Sequence, residues 1–250
     1  MSIRTICTLV LAVAFSAAAT AQTYAALSLV GHEMSIIHAG HSTGSNRDTN
    51  IHEAMPMTDR ALDLAALRAV DEAIRKARPD AKVVLLSASD PAWTAAAKQD
   101  LSLGSPEFTA LANGLAKATA TVGADRVVVV LPARGDLVLR IQQGTLGRGR
   151  AGGIGFYLDR HTRLSRSDNR EAADGFLGVF ANFRVVLVEA PGGRVLADDA
   201  VSSGVAYSNA RATGSDPMTV LSGEQKVQVI VGLLRNEIAR VLPTLLTRAG

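Results

Sequence analysis

Two apolar runs joined by Pro191-Gly192-Gly193 occupy residues 176–208, FLGVFANFRVVLVEAPGGRVLADDAVSSGVAYS, and they predict a long β-hairpin. In the first arm Phe183, Val185 and Leu187 alternate with Arg184, Val186 and Val188. One face is wholly apolar and the other nearly so, the pattern of a strand inside a sheet. The second arm, 194–207, carries Asp198, Asp199, Ser202 and Ser203, which suits a strand with one wet face or one near an edge.

Upstream, the apolar segments 24–30 and 33–39, separated by Gly31-His32, predict two strands forming a hairpin. Residues 40–56 show neither period and predict a long loop. Residues 58–78 predict a helix capped by Thr58, with Leu64, Leu67, Val70 or Asp71, Ile74 and Ala77 on its inner face, and Pro79 ends it. The run 82–88 predicts a strand covered on both faces. Asp90-Pro91 opens a short helix bearing Trp93, and Ser105-Pro106-Glu107 opens another that buries Phe108, Leu111, Leu115 and Val122. Residues 126–131, RVVVVL, predict a buried strand, and 136–141 a strand returning after a turn. Residues 144–170 predict one strand, around Ile154, Phe156 and Leu158, between two arginine-rich loops. Ser222 and Gln225 form a capping box for a closing amphipathic helix that includes Val227, Ile230, Val231, Leu234, Ile238, Val241 and Leu242, with Pro243 expected to kink or end it.

The expected fold class is therefore α/β (α+β): a mixed sheet with antiparallel hairpins, helices packed on it, and a long C-terminal amphipathic helix. Composition adds an address. Arg4, the apolar run 6–15 and Ala19-Thr20-Ala21 before Gln22 have the layout of a signal peptide spanning residues 1–21, leaving 22–250 as one α/β domain exported to the periplasm. Cys7, the one cysteine, lies in the segment expected to be removed, which leaves no thiolate chemistry and no disulfide framework in the remainder. Without Arg4, 25 Lys and Arg face 23 Asp and Glu, too even a balance for a nucleic-acid-binding surface. No later segment has the length and apolarity of a transmembrane helix.

The charge is unevenly spread. Between Arg134 and Arg170 eight arginines face three aspartates, and Arg148, Arg150, Arg160, Arg163 and Arg166 are the candidate contacts for an anionic envelope component or an envelope protein partner. Four of the five histidines fall between His32 and His52, and His38, His41 and His52 are the candidate ligands of a metal. Gly40-His41-Ser42-Thr43-Gly44 has the Gly-x-Ser-x-Gly form of a nucleophile elbow, which makes Ser42 the candidate nucleophile of a serine hydrolase, with Asp159 and His161 available later in the chain. A polar loop follows Ser42 where the elbow needs a helix. Gly147, Gly149 and Gly152 match the dinucleotide fingerprint in spacing, but a strand follows where the pyrophosphate needs a helix terminus, so no cofactor is expected.

Several stretches carry a family resemblance. Gly123-Ala124-Asp125 leading into a buried strand, then Val186-Leu187-Val188-Glu189 followed by Gly193-Arg194-Val195-Leu196 and a long closing helix, is similar to the TolB amino-terminal domain and to the curli-secretion and penicillin-binding-protein-activator lipoproteins. The resemblance covers about the last half of the chain. It implies an α/β domain of the envelope and no catalytic signature; the lipid-anchor cysteine of those lipoproteins is missing after the leader. More loosely, the whole chain resembles secreted proteobacterial proteins from which no activity follows. The leading expectation is thus a non-enzymatic binding or envelope-assembly accessory, ahead of a metal- or small-ligand-binding protein and a Ser42 hydrolase.

Overall fold

A computed structural model describes residues 21–40, 49–57, 59–88, 93, 104–142, 144–165, 172–211 and 216–249. The hairpin is its spine. Strand β11 (Ala172–Glu189) and strand β12 (Val195–Ser208) pair antiparallel along almost their whole length, and Arg194 closes the turn with two hydrogen bonds to the Glu189 carboxylate. That contact holds Glu189 below the usual carboxylate range.

At 18 residues β11 is long enough to serve two partners on its other edge. Strand β5 (Arg126–Pro132) pairs with its second half, from Phe183 to Glu189, and strand β10 (Ile154–Ser165) with its first half, from Ala172 to Ala181. Asn182 stands at the junction. Its N–H donates to the Gly153 carbonyl (2.8 Å), its carbonyl accepts from the Ala133 N–H (3.1 Å), and its side-chain amide donates to the Ala151 carbonyl (2.9 Å). One buried residue therefore satisfies the backbone at the break between two strands.

The next lane repeats the break. Strand β1 (Thr23–Ser28) lies parallel to β5, and strand β2 (Glu33–His38) parallel to β10. The expected hairpin between β1 and β2 does not form, because β1 is already flanked by β5 and by strand β4 (Lys82–Leu86). Gly31, which looks like a turn residue, marks the interruption of one long lane. A Cβ there would come within 2.9 Å of the Asp63 carboxyl carbon, and Asp63 accepts hydrogen bonds from Ser28 Oγ (2.7 Å) and the Gly31 N–H (3.1 Å). The loop expected over 40–56 is also shorter than that: strand β3 (Ile51–Pro56) pairs antiparallel with β2. It is an exposed edge strand held by backbone bonds, so burial imposed no alternation on it.

Helices cover the two faces. On one, helix α1 (Ala61–Ala77) and helix α3 (Gly223–Arg248) pack over Val128, Val130 and the odd-numbered side chains of β11 from Leu177 to Leu187. The α1 stripe is rotated from its expected position: Leu62, Ala66, Val70, Ala73 and Ile74 are buried and Leu64 is exposed. Thr58 lies outside the described residues, and Asp59 accepts the Ala61 N–H. On α3 the Ser222–Gln225 capping box forms as expected, but Val227 is exposed and the helix runs through Pro243. Burial of Leu245 and Leu246 beyond it offsets a proline cost of about 3 kcal/mol. On the other face, helix α2 (Pro106–Ala120), capped by Ser105, packs Phe108, Leu111 and Leu115 against Val127, Val129, Val186 and Val188, with Trp93 alongside.

The rest of that second face is covered by a strap, residues 133–153, which leaves β5, crosses to the far edge of the sheet, where it pairs with β12, and returns at β10. It contains strands β6 (Arg134–Asp136), β7 (Leu139–Ile141), β8 (Gly144–Leu146) and β9 (Arg150–Gly152). The single strand expected over 136–141 is two short ones, because Leu137 and Leu139 both turn inward onto Ile37, Tyr157, Phe176 and Phe180. Strand β10 extends well past the expected Leu158, with a register shift between Asp159 and Arg163. There Asp159 accepts from the His161 and Thr162 N–H groups and from Thr162 Oγ1.

Leu139 is the strap's anchor. A Cβ at Gly178 would collide with Leu139 Cδ1, and one at Gly204 would reach within 2.7 Å of Leu139 Cδ2, so the leucine drops into a hole made by missing side chains. Leu139→Ala is expected to cost about 2–5 kcal/mol and Gly178→Ala about 1–3 kcal/mol in urea unfolding. The double variant should lose clearly less than the sum, since each substitution relieves the other, and simple additivity would show that the two do not touch.

Candidate functional site

The arginines of the strap are set by strand alternation. β6 and β9 pair so that Gly135 faces Ala151, which is buried, and Arg134, Asp136 and Arg150 therefore share the outward side of the ribbon. Arg150 Nε lies 4.0 Å from Asp136, and an Arg150 guanidinium nitrogen donates to the Arg134 carbonyl (3.2 Å). Arg148 is exposed in the turn before β9, and among the described residues neither Arg134 nor Arg148 has an ion pair.

The strap meets the histidine-bearing hairpin. Asn50, at the foot of the β2–β3 connection, accepts from the Gly40 N–H (3.2 Å) and donates its side-chain amide to the Arg148 carbonyl (2.7 Å). Ser35 Oγ donates to the Gly152 carbonyl (2.7 Å). Contacts that span 98 and 117 residues of sequence thus bring the two polar stretches to one end of the sheet.

The other arginines are differently placed. Arg160 lies 3.7 Å from Asp216 and Arg163 3.8 Å from Asp174, exposed pairs that hold the chain past the β10 bulge. Arg166 lies outside the described residues. Arg140, on β7, points to the helical face, where Glu237 of α3 is buried and accepts from Ser203 Oγ (2.9 Å) and Arg240 Nε (2.7 Å), with Arg140 at 3.9 Å. That carboxylate fastens α3 to β12.

Of the candidate metal ligands, His38 and His52 stand on neighbouring strands but on opposite faces. His52 is in register with the buried Ile37, whereas His38 shares its side with Glu53, at 3.6 Å. His41 lies outside the described residues, among which no group of three or more histidines and carboxylates is disposed around a common point. Ser42 also lies outside them. Asp159, the acid available to a triad, spends both carboxylate oxygens on its own bulge. Gly147 and Gly149 take positive φ in the strap turn, and the strand β10 follows the glycine stretch.

Two charged positions were hidden by their setting. Arg184 is the one charge in the core of β11 and lies 3.9 Å from Asp198, both about one-quarter to one-third exposed, in the gap on the second face between α2 and the strap. An arginine inside the run FANFRVVLVE was the available signal. Glu237, inside the stripe of the closing helix, gave a similar one. Asp198 and Asp199 fall on opposite faces, as consecutive strand residues must.

Among the described residues no helix is long and apolar enough to cross a membrane. No protein-family model matches the chain, and no curated protein matches it. Among solved structures, a Xanthomonas campestris protein described under the family DUF330 is similar over 90% of this chain and 84% of its own, at 10% identity and a TM-score of 0.35. A hypothetical protein from Chlamydia trachomatis is similar over 88% of this chain and 98% of its own, at 11% identity and a TM-score of 0.29. Both are described without an activity.

Proposed function

We propose that the protein is a non-catalytic accessory of the bacterial envelope, exported to the periplasm, that holds an anionic envelope component through the arginines of its strap. The observation that carries this reading is the Asn50–Arg148 hydrogen bond (2.7 Å), which ties the hairpin end to the strap and fixes the backbone from which Arg148 and Arg150 project. Guanidinium groups grip phosphate and carboxylate in a two-pronged way, and those held on a fixed backbone lose less freedom on binding. Arg160 and Arg163 face Asp216 and Asp174, so the ligand's first contacts fall on Arg134 and Arg148, which have no ion pair among the described residues, with Arg150, itself 4.0 Å from Asp136, beside them. The resemblance of the hairpin to envelope domains of the TolB and curli-secretion type supports the location.

The test is flotation with vesicles. Wild-type protein should bind vesicles containing phosphatidylglycerol and leave those of phosphatidylcholine alone, with binding that weakens as salt rises. Arg134→Ser, Arg148→Ser and Arg150→Ser together should reduce it at least about tenfold with folding unchanged, at about 1.5–3 kcal/mol for each charge-assisted hydrogen bond. Arg160→Ser with Arg163→Ser should keep most of it. Equal binding by the triple variant, or no preference for the anionic vesicles, would count against the proposal.

A metal-binding role is the second reading, favoured by His38 and Glu53 facing each other at 3.6 Å beside the segment that holds His41. Its signature is zinc bound at one equivalent in the purified protein and lost in His38→Ala; zinc content unaffected by that substitution would remove it.

A further inference from the structure

Where α1 and α3 lie side by side, a groove of about 350 Å³ runs between them. Ala61, Leu64, Ala65 and Ala69 line it from α1, and Val231 lines it from α3. Leu64 is 53% exposed, although the other two leucines of α1, Leu62 and Leu67, are buried. Further along both helices the lining turns polar: Arg68 and Glu72 follow on α1 and Arg235 on α3, and Arg235 Nε meets Glu72 at 3.0 Å. The groove therefore has an apolar end and a charged end.

The charged end is not balanced. Two guanidinium groups line it with one carboxylate, and Arg235 takes that carboxylate. Arg68, one helical turn before Glu72, has no ion pair among the described residues, so the end keeps one uncompensated positive charge. Size narrows the occupant further. The volume is near the lower end of small-molecule pockets, about 300–1,000 Å³, which admits one alkyl chain and excludes the paired chains of a phospholipid. From Ala61 to Glu72 the wall is about 16 Å long, at about 1.5 Å per residue, a length that suits a chain laid along the helix.

We propose that the groove binds a free single-chain fatty acid, with the tail against Leu64, Ala65 and Val231 and the carboxylate on Arg68. The tail covers the exposed side of Leu64, which gives the apolar contribution to binding. Arg68 offers the carboxylate a two-pronged contact. Glu72 and Arg235 are each more than half exposed, so the head group sits at a wet rim while the tail lies on the apolar wall. Charge sets the choice of head: a carboxylate matches Arg68, a hydroxyl leaves its charge unmatched and an ammonium is repelled. The strap covers the opposite face of the sheet, so this site stands independently of the anion-binding reading.

Calorimetric titration of the purified protein, expressed from the full chain, tests it with dodecanoate, dodecanol and dodecyltrimethylammonium, each below its micellar concentration. Dodecanoate should bind at one equivalent, more tightly than dodecanol, and the cationic amphiphile more weakly than either. Arg68→Ser should weaken dodecanoate by about tenfold and leave dodecanol unchanged, as the loss of one charge-assisted hydrogen bond requires. Leu64→Gln should weaken dodecanoate and dodecanol alike, by about tenfold, through lost apolar contact. Both positions are exposed, so the circular dichroism spectra should match that of the wild type. No binding of dodecanoate by the wild type, dodecanol bound as tightly as dodecanoate, or dodecanoate binding indifferent to either substitution would overturn the proposal.

Discussion

One strand has to satisfy its hydrogen bonds on both edges over 18 residues, and the rest of the fold is arranged to let it. No single neighbour of β11 on the β5 side is long enough, so β5 and β10 divide that edge end to end, and β1 and β2 divide the lane beyond. A divided edge exposes polar backbone at the division unless something there closes it. Asn182 does so with three hydrogen bonds, from its N–H, to its carbonyl and from its side chain. The chain between the two half-strands is then free to cross the second face as the strap, to the sheet edge beside β12.

The strap belongs to the packing as well as to the surface. Helix α2 covers only one end of its face, and Ile37, Tyr157, Phe176 and Phe180 would otherwise stand bare at the other. Leu137 and Leu139 cover them, and the glycines at 178 and 204 let the covering segment lie close. Because inward residues alternate with outward ones, burying Ala151 puts Arg150 outside, and the β6–β9 register sets Asp136 opposite it with Arg134 on the same side. The cationic surface is therefore a by-product of how the core is closed, made specific by Asn50, which fastens the strap turn to the base of the β2–β3 connection.

Local signals made much of this legible in the sequence. The hairpin, α2 with its Ser105 cap, the capping box of α3 and the doubly buried β5 are each written in a few neighbouring residues, and each appears where those residues put it. What was not legible depends on distant partners. Gly31 reads as a turn until Asp63 is seen to need its space; β3 has no period because nothing buries it; three-residue strands such as β6 and β7 are too short to show one. The site follows the same division. The arginine excess of 134–170 is plain from composition, but which arginines are already paired depends on Asp174 and Asp216, which the fold brings from elsewhere. Arg184 was visible as a charge in an apolar run, and its partner Asp198 lay across the hairpin.

The Asn182 junction holds the strap, and hydrogen exchange in Asn182→Leu reads that directly. The leucine keeps the β11 backbone bonds and removes the side-chain donor to the Ala151 carbonyl. Amides of the strap and its return, Leu137 and Gly153 among them, should then exchange faster by about one to two orders of magnitude, the equivalent of a lost buried hydrogen bond of about 1–3 kcal/mol, while those in the centre of β11 stay protected. Strap protection equal to that of the wild type, or loss spread evenly over the whole sheet, would contradict it.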